Sequence, residues 1–180
     1  VDGPYACLRN AKQPYKVEFV NQDTGKIEYE TELKNDHWGK TFHRYFINWE
    51  IRVKDNFGNI IISHKYNATG KRVLIELGSK SLGDTLAWFP YVQEFKNKHN
   101  CNVIVSTFWN KFFEKKYPDL EFVVPGSTIP NLYAMYEVGW FYKDETDKLD
   151  GFKQPFDPKS YTLQQTATNI LGLEYKEIIP

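Results

Sequence analysis

Residues 71–100 read KRVLIELGSKSLGDTLAWFPYVQEFKNKHN. Val73-Leu74-Ile75-Glu76-Leu77 is a short, mostly apolar run bounded by basic residues and by Gly78. Its length and flanks predict a buried strand rather than a helix. A tight polar turn follows, Gly78-Ser79-Lys80-Ser81-Leu82-Gly83-Asp84. Beyond it Leu82, Leu86, Phe89, Val92 and Phe95 recur at steps of three or four, the spacing of one apolar helix face. Strand, turn and helix in this order bring unsatisfied N–H groups of a helix N-terminus to the carboxyl end of a strand. Open α/β sheets bind ligands at that edge. The two glycines let the backbone pass close to such a ligand.

The same alternation continues downstream. Residues 101–107 and 120–124 are short apolar runs that predict two more buried strands. Between them, residues 110–117 predict a short helix ended by Pro118. Strands joined by helices imply parallel pairing with right-handed crossovers. Residues 133–142 are aromatic and strand-like, residues 143–159 a long polar loop, and residues 162–171 a last helix. That helix has Ser160 or Thr162 as its cap and Gly172 as its stop. Leu163, Thr166, Ala167, Ile170 and Leu171 are expected on its inner side.

Upstream, residues 15–66 alternate with a period of two. Ile27, Tyr29, Thr31 and Leu33 alternate with Glu28, Glu30 and Glu32, which predicts a half-buried strand with a solvated carboxylate face. Ile47, Trp49, Ile51 and Val53 do the same in a strand over 45–54, and Asp55-Asn56-Phe57-Gly58-Asn59 turns the chain into its partner. His37-Trp38-Gly39-Lys40 is expected to be a loop whose Trp covers the end of the sheet or contacts a partner. The boundary falls near Gly70. It separates a small antiparallel β-rich module, 1–69, from a Rossmann-like α/β lobe, 70–180.

Composition narrows the function. Hydrophobic content of 41% with 26% charged residues is that of a soluble globular protein. Net charge zero leaves no electrostatic footprint for nucleic acid or an anionic membrane. No apolar run approaches the roughly 20 residues of a membrane span. Cys7 and Cys101 make neither a disulfide framework nor a metal cluster, and are expected reduced in a cytoplasmic protein. The four His lack the spacing of a zinc site, so no metal is expected. There is no P-loop, no G-x-G-x-x-G after Leu77, no G-x-S-x-G around Ser81 and no D-x-D pair.

Ser81-Leu82-Gly83-Asp84, straight after a strand and ahead of an apolar helix containing Pro90, resembles the opening βα unit of glycosyltransferase family 9, the bacterial heptosyltransferases. With Thr107-Phe108-Trp109-Asn110 and Tyr117-Pro118-Asp119-Leu120-Glu121-Phe122, the stretch 78–125 is more similar to the autotransporter O-heptosyltransferases, which glycosylate protein hydroxyls. The likeness covers about residues 70–180 and is weaker before them.

The resemblance implies the N-terminal, acceptor-side lobe of a GT-B glycosyltransferase. The Asp of this motif is the family's proposed catalytic base, and here it falls on Asp84. It further implies transfer of a sugar from a nucleotide-sugar, ADP-heptose by likeness, to a Ser or Thr of a protein such as an autotransporter adhesin passenger. The run of α/β units ends at Ile178-Ile179-Pro180, about where the family crosses to its second lobe. The donor-binding C-terminal lobe is therefore expected to be absent from this chain, and the chain alone inactive.

Residue chemistry leaves other roles open. Asp84 and Ser81 also fit a helix N-terminus, as a favourable anion and a cap. Lys80 suits a diphosphate leaving group or a solvated loop. Ser81, Gly83 and Thr85 suit sugar or phosphate contacts, and Thr107 and Trp109, with Phe108, the acceptor cleft or the seat of the next helix. Asn131 and Tyr133 are weaker candidates of the same kind. Two alternatives remain: a heptosyltransferase acting on lipopolysaccharide core, which a neutral chain fits less well, and a non-catalytic binding or oligomerisation module. Assembly into a homo-oligomer stays open.

Overall fold

The computed structural model describes residues 3–143 and 147–179. Within the loop expected over 143–159, residues 144–146 lie outside the described residues, as does the terminal Pro180. The chain divides into two compact units, Val1–His43 with Ile47–Asn67, and Arg44–Phe46 with Ala68–Pro180.

The first unit is antiparallel. β1 (Tyr5–Cys7) pairs with β4 (Trp38–Lys40), so the expected loop at 37–40 is partly a strand. Its Trp38 stays exposed, with the Tyr5 ring 5.9 Å away. β2 (Tyr15–Asn21), β3 (Ile27–Leu33), β5 (Trp49–Lys54) and β6 (Ile60–Lys65) form a four-stranded sheet in the order β3-β2-β5-β6. Val17, Phe19, Leu33, Trp49 and Val53 are buried. Ile27 and Tyr29, expected to be covered, are each 41% exposed because β3 is an edge strand. The strand expected from 45 begins only at Trp49. The amides of Arg44 and Phe46 instead donate to Phe152 and Ile170 carbonyls in the second unit to which they belong.

Two carboxylates on this sheet are buried rather than solvated. Glu18 accepts from Lys54 Nζ at 2.8 Å, with Lys16 Nζ 3.7 Å away. Glu50 accepts from Arg52 at 2.7 Å and from Ser63 Oγ at 2.6 Å. These bonds hold its carboxyl well below the usual range, at about 2.

The second unit is an all-parallel sheet with the order β10-β7-β8-β9. Its elements are β7 (Arg72–Leu77), α1 (Leu82–His99), β8 (Asn102–Thr107), α2 (Asn110–Phe113), β9 (Glu121–Val123), β10 (Ala134–Val138) and α3 (Leu163–Leu171). The buried side of α1 is Thr85, Trp88, Phe89, Val92 and Phe95, together with Pro90 and Tyr91. Leu86, expected inside, is 36% exposed, because the buried stripe runs through Thr85, Trp88 and Phe89 instead. Phe89 stacks on Phe113 at 3.9 Å, and Phe95 packs on Tyr136 and Phe46, so the aromatic content fills this core. α1 ends at Asn100 in the left-handed conformation. Thr162 and Gln165 form a capping box on α3. At Gly172, φ is +63° and a Cβ would stand 2.1 Å from the Phe46 ring, so only glycine fits.

Candidate functional site

Parallel pairing puts the carboxyl ends of β7, β8 and β10 on one edge of the sheet. Leu77 lies opposite Thr107 and Val138 in register. Gly78 leaves β7 with its amide bonded to Val138 O at 3.0 Å. A Cβ at Gly78 would meet Glu137 Oε1 at 3.1 Å, a tight approach that the glutamate side chain must yield to. At Gly83 an added Cβ would meet only Ser81 Oγ, at an ordinary 3.7 Å. Among the described residues nothing demands glycine there.

Ser81 is the N-cap of α1, and its Oγ accepts from the Asp84 amide at 3.4 Å. Asp84 sits in the first helical turn, where the positive helix end favours a carboxylate. Ser79 Oγ donates to Asp84 Oδ2 at 2.7 Å. Asp84 Oδ1 makes no hydrogen bond among the described residues. The turn is anchored from β8: Trp109 Nε1 donates to Lys80 O at 3.0 Å. Lys80 Nζ lies 5.6 Å from the Phe108 ring centre and is exposed.

The structure thus brings Lys80, Ser81, Gly83, Asp84 and Trp109 together at one open turn. It turns Thr85 and Thr107 away. Thr85 is fully buried, with its hydroxyl donated to Ser81 O at 3.0 Å. Thr107 is 1% exposed, and its hydroxyl oxygen accepts from the Trp109 amide. Both threonines hold the turn rather than line it. Asn131 and Tyr133 lie at the opposite end of the sheet: the Tyr133 amide donates to Arg72 O, at the amino end of β7. To pair parallel, the chain leaving β9 must first return to that end.

Sequence reasoning missed three features. Ser79 was placed in the turn without a role. Trp140, 51% exposed, follows the end of β10 on the same edge as Gly78; reading 133–142 as one strand concealed it. Glu76 and Glu137 stand side by side in register, and burial followed by the Glu137 charge pushes the Glu76 carboxyl up. Alternation along β7 alone gives no signal for that pairing. Among the described residues no group of three or more His, Cys, Asp or Glu could hold a metal ion. No helix among them is long and apolar enough to cross a membrane.

No family model matches the chain. It is 28% identical over 182 residues to the autotransporter heptosyltransferase BAHTCr of Citrobacter rodentium, covering 98% of this chain and 42% of the relative. It is 31% identical over 140 residues to the inactive autotransporter heptosyltransferase BimC of Burkholderia thailandensis, covering 76% of this chain and 32% of the relative. In three dimensions it resembles the dodecameric, iron-containing glycosyltransferase TibC of enterotoxigenic Escherichia coli. The TM-score is 0.82 at 24% identity, over 96% of this chain and 44% of that one. TibC has also been solved in complex with ADP-D-beta-D-heptose. The chain's homologues are autotransporter heptosyltransferases, as the Ser81–Asp84 turn implied, and the fold is shared with TibC. The chain spans less than half the length of these relatives. The iron of TibC has no ligand set among the residues described here.

Proposed function

We propose that this chain forms the acceptor-side lobe of a cytoplasmic glycosyltransferase that moves a heptose from ADP-heptose to a Ser or Thr hydroxyl of a protein. Asp84 is the general base. The observation that carries this reading is a carboxylate at the open edge of the parallel sheet with one oxygen tethered and the other, Oδ1, without a hydrogen bond among the described residues.

In the reaction, Oδ1 takes the proton of the acceptor hydroxyl as its oxygen bonds to the anomeric carbon. The bond from that carbon to the diphosphate breaks, and the electron pair leaves with ADP. Lys80 offers its ammonium to the charge that develops on the diphosphate. Ser81 and Gly83 border the space the acceptor occupies. Phe108 and Trp140, both about half exposed, flank the turn from β8 and β10 as apolar walls for acceptor and sugar. The remaining donor contacts, and the division into a β-rich module at 1–69 and this lobe at 70–180, belong to the same proposal. So do an autotransporter passenger as acceptor and self-assembly like that of TibC.

A second reading is a non-catalytic binding or assembly module, favoured by the similarity to BimC, an inactive relative. One substitution separates them. In the complete gene product, Asp84→Asn should lower transfer to a peptide acceptor by about 100-fold or more, the scale of a lost general base. Turnover within a few-fold of wild type would leave the binding reading in its place. Mass spectrometry of a co-expressed acceptor identifies the sugar.

A further inference from the structure

We infer that Ser79 is a positioning residue for transfer, aiming one oxygen of the Asp84 carboxylate at the acceptor. The inference rests on the reading of Asp84 as base. Ser79 Oγ donates to Asp84 Oδ2 at 2.7 Å, and the same oxygen accepts from the Ser81 amide at 3.0 Å. An amide N–H can only donate, so the serine oxygen must be its acceptor. The single hydroxyl proton is left for Asp84, and a hydroxyl that accepts one hydrogen bond donates another more strongly. The chain from Ser81 N–H through Ser79 O–H to Oδ2 therefore has one direction.

The hydroxyl stands on fixed supports. On one side Gly78 is held to β10 through Val138 O at 3.0 Å. On the other, Lys80 O is held by the Trp109 indole from β8. One support lies on β10 and the other just past the end of β8, the two strands that neighbour β7, so the sheet fixes where the hydroxyl points. A carboxylate on a short side chain otherwise rotates about its last bond, exchanging its oxygens. With Oδ2 engaged, rotation costs a strong hydrogen bond, and Oδ1 stays the oxygen left for the acceptor. Correct aim at the reacting hydrogen is worth more to the rate than to substrate binding, so its loss shows in kcat.

The test uses the complete gene product, a peptide acceptor and ADP-heptose, with four proteins: Ser79→Ala, Ser79→Thr, Asp84→Asn and the Ser79→Ala/Asp84→Asn double variant. We expect Ser79→Ala to lower kcat about tenfold with acceptor KM within about twofold. Ser79→Thr, which keeps the hydroxyl, should recover most of the rate. On the Asp84→Asn background, Ser79→Ala should cost nothing more, since its effect passes through the lost carboxylate. Unchanged kcat in Ser79→Ala overturns the inference while a slow Asp84→Asn leaves the base reading standing. So does an equal loss on both backgrounds, and so does a lowered melting temperature with no rescue by threonine, which marks the hydroxyl as structural. If Asp84→Asn itself retains turnover, the base reading falls first and this inference with it.

Discussion

In the antiparallel sheet of the first unit, Glu18 is 1% exposed and Glu50 7% exposed, each held by a basic neighbour. In the parallel sheet of the second, the central strand buries Val73, Leu74, Ile75 and Leu77 behind an aromatic layer from α1. Antiparallel hairpins close both ends of a sheet with their own turns. Parallel strands send each connection away from the same edge, so that edge collects the turn after β7, the Trp109 anchor after β8 and Trp140 after β10. The lesson is that apolar burial on the parallel strands frees their ends for chemistry. The first sheet instead commits its charges to one another.

Three measurements break or sharpen this contrast, taken from the largest effect down. Phe95→Ala removes a fully buried ring from between Phe46, His99 and Tyr136. It should cost about 3–5 kcal/mol in a urea titration, the range for a large aromatic deleted from a dry core. A loss under about 1 kcal/mol means that the aromatic layer is not what holds the second unit.

Lys54→Met takes the hydrogen-bonded cation from Glu18 and leaves it Lys16 at 3.7 Å and Arg52 opposite it on β5. Because these two cations remain, the expected cost is about 2 kcal/mol, below the roughly 3–5 kcal/mol of a fully orphaned buried charge. Making Glu18→Met as well should restore part of it, since the desolvated charge is then gone. If the double variant is worse than the single one, the ion pair contributes net stability and the contrast between the sheets is smaller than drawn.

Acid separates the units by their titrating groups. Burial lowers the His99 imidazole to about 4, so the folded state keeps it neutral where the unfolded chain protonates near 6.5. Stability present above about pH 6.5 is therefore lost as pH falls toward 4. Glu50, depressed to about 2, contributes stability above its unfolded value near 4.5, lost as pH falls toward 2. His99→Asn should flatten the upper part of the acid-stability curve and Glu50→Gln the lower part, read from melting temperature against pH. If neither slope changes, other groups carry the acid sensitivity.

Much of the fold was legible because period and punctuation are local signals. The 73–77 run, the polar turn and the spacing of Phe89, Val92 and Phe95 announced β7 and α1, and Gly172 announced the end of α3. Ser81 as a cap and Asp84 in the first turn were also readable. Thr85 was misjudged because a threonine's polarity says nothing of its burial. Its hydroxyl satisfies itself on Ser81 O and frees the methyl to pack. Asn131 and Tyr133 were misplaced because sequence order does not reveal at which end of a parallel strand a connection arrives.

The sequence by itself determined that a strand, a glycine-bearing turn and a helix would present Ser81 and Asp84 at a sheet edge, since each depends on neighbours within a few residues. Only the tertiary structure decided which oxygen of Asp84 is tethered, that Trp109 anchors Lys80, and that Glu76 lies beside Glu137. Those pairings join residues brought together by strand order and register, and these follow from how whole elements pack rather than from any stretch read alone.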